Sequence, residues 1–258
     1  MSNAVGSTAA RDGSASRGRL GVLAFALLVA LALPASALAG SAPHVKGSER
    51  LSNERTSTLW AHPTQRAPIR RLPTTRSRSI VATHYLTEDG FPEVYLVLRS
   101  FSDWQGDTWL QVRIPMRPNG RKGWVRESTL GPLYRVGTRL VVDRSKRRAT
   151  LSKRGRQIWS APVGIGKPST PTPTGHFWIR EKFKTHDPGG LYGPFAFGTS
   201  DYSVLSDWPG GGVIGIHGTD EPGLIPGRPS HGCVRVKNRA LRKLWRLMPV
   251  GTPVLIRD

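Results

Sequence analysis

Two stretches decide how this chain is read: Ile214-Gly215-Ile216-His217-Gly218-Thr219 and Ser230-His231-Gly232-Cys233-Val234-Arg235-Val236, joined by a Pro/Gly-rich loop from Asp220 to Pro229. Each pairs a short hydrophobic strand with a reactive residue at its end, where a rigid sheet can present side chains to a cleft. A thiol attacks only as thiolate, and at a free pKa of ~8.5 roughly 3% is ionised at pH 7. An imidazole that forms an ion pair with it can lower that pKa by about two units, or roughly 2.7 kcal/mol. The same imidazole can then protonate a leaving amine. His231 shares an extended segment with Cys233, and Cα atoms about 6–7 Å apart do not guarantee a direct hydrogen bond. His217 arrives on a separate strand and is freer to meet the sulfur. Gly232 leaves room beside Cys233, so backbone N–H groups there can cradle a tetrahedral oxyanion.

Outward from these stretches the pattern is strand-rich. Residues 139–143, 149–152, 157–164 and 176–179 read as strands, with turns at Lys153-Arg154-Gly155 and Pro171-Thr172-Pro173-Thr174-Gly175. One helix is expected near the end, capped by Asn238, with Leu241, Leu244, Trp245 and Met248 on one face. Pro249 and Gly251 stop it, and Val254-Leu255-Ile256 closes the chain as a strand. Trp159, Phe177, Trp178 and Trp245 are expected in the core, while Tyr192 and Trp208 sit in Gly/Pro-rich segments suited to a cleft wall.

Upstream, residues 94–98, 108–114 and 123–125 also alternate as strands. Residues 40–79 are Pro/Arg/Ser-rich, with eight basic residues against Glu49 and Glu54, and are expected as a basic disordered linker. At the N-terminus, Arg11, Arg17 and Arg19 precede an apolar run from Leu20 to Leu33, followed by Ala37 and Ala39 at small-residue positions. This is the pattern of a signal peptide over residues 1–39, and an uncleaved anchor is the alternative. The formal net charge of +21 predicts attraction to polyanions. Export with a single cysteine leaves no intrachain disulfide and makes a lone thiol worth explaining.

The string S-H-G-C-V-R, with I-H-G-T sixteen residues before the cysteine, resembles the signature of the L,D-transpeptidase family with the YkuD-type catalytic domain. Pro162 to Lys167 and Pro171 to Gly175 resemble that family's upstream strands. Separately, Trp109 to Val125 resembles bacterial SH3-like wall modules, for which wall binding and plain packing are both open. The implied fold is mainly β: a β-sandwich-like catalytic domain over 136–257 with one C-terminal helix, preceded by a small SH3-like β module over 80–132. The implied reaction is a thioester exchange on peptidoglycan. Cys233 attacks a stem tetrapeptide at its third residue, D-alanine leaves, and the side-chain amine of a neighbouring stem forms a 3→3 cross-link. By the same resemblance His217 is the base, oriented by the Gly218 carbonyl. Ser230, His231 and Gly232 shape the oxyanion site, and Arg235 supports the site or binds a carboxylate. The family's acidic residue two places after the asparagine is Ala240 here. No cofactor or metal is implied. The partners are stem peptides as donor and acceptor, with anionic wall polymers besides, no nucleic acid, and membrane contact only through the signal segment.

Three rival readings are weaker. His217, His231 and Cys233 at spacings of fourteen and two do not suit a closed zinc site. Nucleic-acid binding is suggested by charge alone, with no recognition motif. A non-catalytic wall-binding protein has no need of the His217 and Cys233 pair. Water as acceptor in place of an amine makes the same scaffold an L,D-carboxypeptidase.

Overall fold

The computed structural model describes residues 47–258 except Trp208. The expected signal segment, and with it the first part of the linker, lies outside the described residues, as does Trp208. No helix among them is long and apolar enough to cross a membrane.

Short apolar runs broken by Pro, Gly and Asn build two sheets. The first contains β1 (Gly47–Arg50), β2 (Thr58–Ala61), β3 (Pro68–Arg70), β4 (Ser79–Ala82), β5 (Tyr95–Ser102), β6 (Thr108–Arg113), β7 (Lys122–Arg126) and β8 (Tyr134–Val136). Its order is β4-β3-β7-β6-β5-β2-β8, with β1 also on β5. The core of this sheet includes Leu59, Ile69, Tyr95, Val97, Leu110, Val112 and Val125. The expectation of disorder across 40–79 therefore fails from Gly47 onward. Strands of three or four residues, rich in Arg and Pro, carry almost no period of their own. They are held instead by pairing with longer strands, as Leu59 is against Val97.

The second sheet uses β9 (Thr138–Asp143), β10 (Arg148–Lys153), β11 (Arg156–Gly166), β12 (Gly175–Lys184), β13 (Phe195–Tyr202), β14 (Val213–His217), β15 (Gly227–Ser230), β16 (Val234–Val236) and β17 (Pro253–Arg257). Its order is β10-β9-β17-β12-β13-β14-β16-β11-β15, and β10 also pairs with β11, so the sheet closes on itself. Closure depends on two long strands that change partners midway. The start of β11 pairs with β10 and its end with β16 and β15. The start of β12 pairs with β17 and, past an irregularity near Ile179, its end pairs with β13. Strands that switch sheets in this way make the corners of a sandwich. Inside lie Leu140, Leu151, Ile165, Phe177, Ile179, Phe197, Ile216 and Val236.

The one α-helix among the described residues, α1 (Asn238–Leu247), covers this core with Leu241 and Leu244. Met248 is buried beside them and Trp245 stacks on Phe195 at 4.6 Å. Asn238 is not the cap. Lys237 holds that position without a side-chain bond, because the Asn238 amide is engaged elsewhere.

Candidate active site

Strands β14 and β16 are parallel neighbours, with Ile216 opposite Val234 and His217 opposite Arg235. One step back, the Gly215 N–H donates to the Cys233 Sγ at 3.3 Å. A side chain at 215 would stand 3.6 Å from His217 Cδ2 and 3.8 Å from Cys233 Sγ. The missing side chain of Gly215 is thus the space toward which imidazole and thiol converge. Sequence reasoning passed over this glycine, because its importance depends on strand register.

His217 is buried, and its Nδ1–H donates to the Gly218 carbonyl at 2.7 Å, which leaves Nε2 as the basic nitrogen. Gly218 has no room for a side chain: one would collide with the Asn238 amide and with Gly193. Its own N–H donates to the Tyr192 carbonyl. Asn238 closes this corner by accepting from the Thr219 N–H at 2.9 Å and donating to the Thr219 carbonyl at 3.0 Å. The helix start is therefore tied to the histidine strand, which explains why the asparagine does not cap. The ring of Tyr192 meets His217 edge-on at 4.8 Å.

The loop before Cys233 is fixed from within. Ser230 Oγ accepts from the Gly232 N–H at 3.2 Å and donates to the Cys233 carbonyl at 2.6 Å. Gly232 adopts φ +131, and a side chain there would press on Ile214, so glycine is required. Since the Gly232 N–H is already engaged, that amide is not the free donor of an oxyanion cradle. Thr172 explains why the two upstream blocks belong with this loop. Its hydroxyl donates to the Gly232 carbonyl at 2.6 Å and accepts from the Gly166 N–H at 2.9 Å.

Burial pushes the Cys233 thiol above its ordinary pKa, against the opposing pull of the Gly215 N–H and the Arg235 charge. Burial also pushes His217 down to about 4, with Arg235 adding to it and the Gly218 carbonyl opposing. Both shifts favour neutral thiol and neutral imidazole over an ion pair before substrate binds. Arg235 is buried and donates from Nη1 to Glu221 at 2.9 Å, while its Nε has no partner among the described residues. His231 is exposed and lines, with Ser230, Arg235, His217 and Cys233, a small cavity of about 50 Å³.

A larger cleft of about 770 Å³ also opens at the thiol, lined by Cys233, His217 and Gly215. Tyr192, Gly198, Phe183 and Lys184 form part of its wall. Asp89 and Phe91 of the first sheet's connecting loop complete it, a contribution with no local signal in the sequence.

A sequence model of the L,D-transpeptidase catalytic domain (YkuD) matches residues 137–256. The YkuD protein of Bacillus subtilis (strain 168) is 32% identical over 123 residues, which span 48% of this chain and 68% of that protein. The YkuD protein of Bacillus licheniformis is 33% identical over 46% of this chain and 64% of its own length. Among solved structures, a mutant L,D-transpeptidase of Enterococcus faecium is 26% identical with a TM-score of 0.37, over 46% of this chain and 49% of that one. An L,D-transpeptidase from Mycobacterium tuberculosis is 14% identical with a TM-score of 0.43, over 76% and 98%. The chain thus spans about half the length of the enterococcal protein. From the signature blocks, the domain match and the Bacillus subtilis relative together, the chain belongs to the L,D-transpeptidase family with the YkuD catalytic domain.

Proposed function

We propose that the protein is an exported peptidoglycan L,D-transpeptidase that forms 3→3 cross-links through a thioester on Cys233. The observation that carries this reading is the convergence of the Cys233 thiol and the His217 imidazole on the space left by Gly215, with Nδ1 held by the Gly218 carbonyl. In the neutral resting pair, His217 Nε2 takes the thiol proton as sulfur attacks the carbonyl of the third residue of a tetrapeptide stem. The C–N bond to D-alanine breaks, and the imidazolium returns the proton to the departing amine. The amine of a second stem then attacks the thioester, giving its proton to Nε2 and restoring the thiol. The Cys233 N–H serves the oxyanion. Arg235, a cation that acts on both reacting groups, holds a substrate carboxylate. The basic surface implied by a net charge of +21 keeps the enzyme on anionic wall polymer.

The test is intact-protein mass spectrometry of residues 40–258 with a disaccharide-tetrapeptide, for wild type and Cys233→Ala. The expected result is a thioester adduct, release of D-alanine and a 3→3 dimer, all absent in the variant. Tripeptide without dimer would replace cross-linking with carboxypeptidase action. A folded wild type that forms no adduct would leave a wall-binding protein.

A further inference from the structure

The cleft has a direction. Glu181 on β12 lies opposite Gly198 on β13, Gly198 lies opposite Gly215 on β14, and Gly215 holds the sulfur of Cys233. Two glycines in adjacent strands therefore floor a trough that runs across the sheet from the thiol. Glu181 Oε1 occupies the place a side chain at 198 would take. The carboxyl therefore lies over β13 while the sulfur reaches β14, so the two are separated by about one strand spacing, roughly 5 Å, across the sheet.

The far end of the trough is closed by the first sheet. Leu86 and Pro92 bridge the base of a tight turn, and the Thr87 N–H donates to the Phe91 carbonyl at 2.7 Å. The Thr87 hydroxyl bonds Glu181, and Phe91 stacks on Phe183 at 5.5 Å. Arg180 pairs with Glu88 and Glu93 on either side of the turn tip. Asp89 faces the cleft, and its carboxylate lies close enough to Glu181 to raise that residue's carboxyl pKa. Burial, with Asp89 adding to it and Thr87 opposing, pushes Glu181 up to about 7. Asp89 thus stands at the end of the glycine floor, in a cleft whose wall also carries Lys184, His186 and Asp187.

We propose that Asp89, backed by Glu181, is a specificity-determining residue that binds the unreacted side-chain ammonium of the donor stem's third residue. The assignment rests on the transpeptidase reading above and adds which part of the substrate is recognised, and by which sheet. Distance selects the donor over the acceptor. An acceptor amine must reach the thioester carbonyl at Cys233, whereas the donor's ammonium is held away from the attacked carbonyl by an extended side chain, which the trough accommodates.

Two probes decide it: the disaccharide-tetrapeptide with its side-chain ammonium free, and the same molecule acetylated there. Acyl-enzyme formation is followed by mass in the full chain. Wild type is expected to prefer the free ammonium by up to about fivefold, and Asp89→Asn to erase that preference through the concentration dependence. Equilibrium binding of both probes to Cys233→Ala, with and without Asp89→Asn, gives the same comparison without chemistry. If wild type forms no acyl-enzyme, the thioester reading fails while the binding preference still decides Asp89. A preference that survives Asp89→Asn, or none in the parent, overturns the assignment. Alkylation of Cys233 by iodoacetamide, expected at equal rates in wild type and Asp89→Asn, separates charge recognition from a distorted cleft. A changed rate together with a lost preference would make Asp89 merely structural.

Discussion

Cys233, one residue ahead of β16, and His217, at the end of β14, carry pKa shifts of opposite sign with one main cause, burial. Burial penalises whichever form is charged, so it raises the thiol and lowers the imidazole. A standing thiolate–imidazolium pair would carry two buried charges, a cost that the neutral pair does not incur. The consequence is a pH profile unlike that of a preformed ion pair. Alkylation of Cys233 by iodoacetamide should be slow at neutral pH and rise steadily into the alkaline range, as a raised thiol pKa requires. Substrate acylation, which needs neutral His217, should persist in mild acid and fall only as pH approaches about 4. An alkylation plateau between about pH 5 and 8 would sink the neutral pair. Both residues were legible in the sequence because their motifs are local. Gly198 and Gly215 were not, since a glycine becomes a trough floor only through the register of its neighbours.

At the level of elements, the loop before Cys233 is held by a residue sixty positions away. Thr172 is buried, and its hydroxyl satisfies the Gly232 carbonyl and the Gly166 N–H at once. Thr172→Val keeps the shape but strands both backbone groups, at about 1–3 kcal/mol for each one left unsatisfied. Stability measured by urea unfolding is expected to fall by about 2 kcal/mol or more. Acylation of Cys233 should fall further than stability does, because the loop that aims the sulfur loses its tie. Unchanged stability and acylation would remove Thr172 from this role. The block Pro171 to Gly175 was recognisable as a pattern, but its purpose was not, because a turn signal does not say what its hydroxyl will meet. The helix was read correctly on its apolar face, where period suffices. Its first residue was misread, because tertiary hydrogen bonds to Thr219 won over capping.

For the whole molecule, the decisive contacts join the two sheets. Arg180 of β12 is 2% exposed and pairs with Glu88 at 2.8 Å and with Glu93, itself fully buried. Trp178 Nε1 donates to the Val94 carbonyl at 2.7 Å. Arg117 donates to three carbonyls, those of Ser203, Leu205 and Gly211, in the segment leading to the histidine strand. None of this was legible in the sequence, where Arg and Glu are ordinarily surface residues and the partners lie nearly a hundred positions apart. A first half read as a linker and an SH3-like module, open between wall binding and packing, contributes Asp89 and Phe91 to the cleft. Arg180→Ala tests how far the halves depend on each other. Removing the guanidinium leaves the buried Glu93 carboxyl with only the His84 ring and the Val94 N–H beside it, a loss on the order of 3–5 kcal/mol. Because the same arginine anchors the turn that carries Asp89, the variant should also lose the preference for an ammonium-bearing donor. Calorimetry is expected to show one transition for residues 40–258 in wild type, displaced to lower temperature in the variant. Two separate transitions, with only the first displaced, would mean that the sheets fold independently and that the cleft wall is borrowed rather than built in.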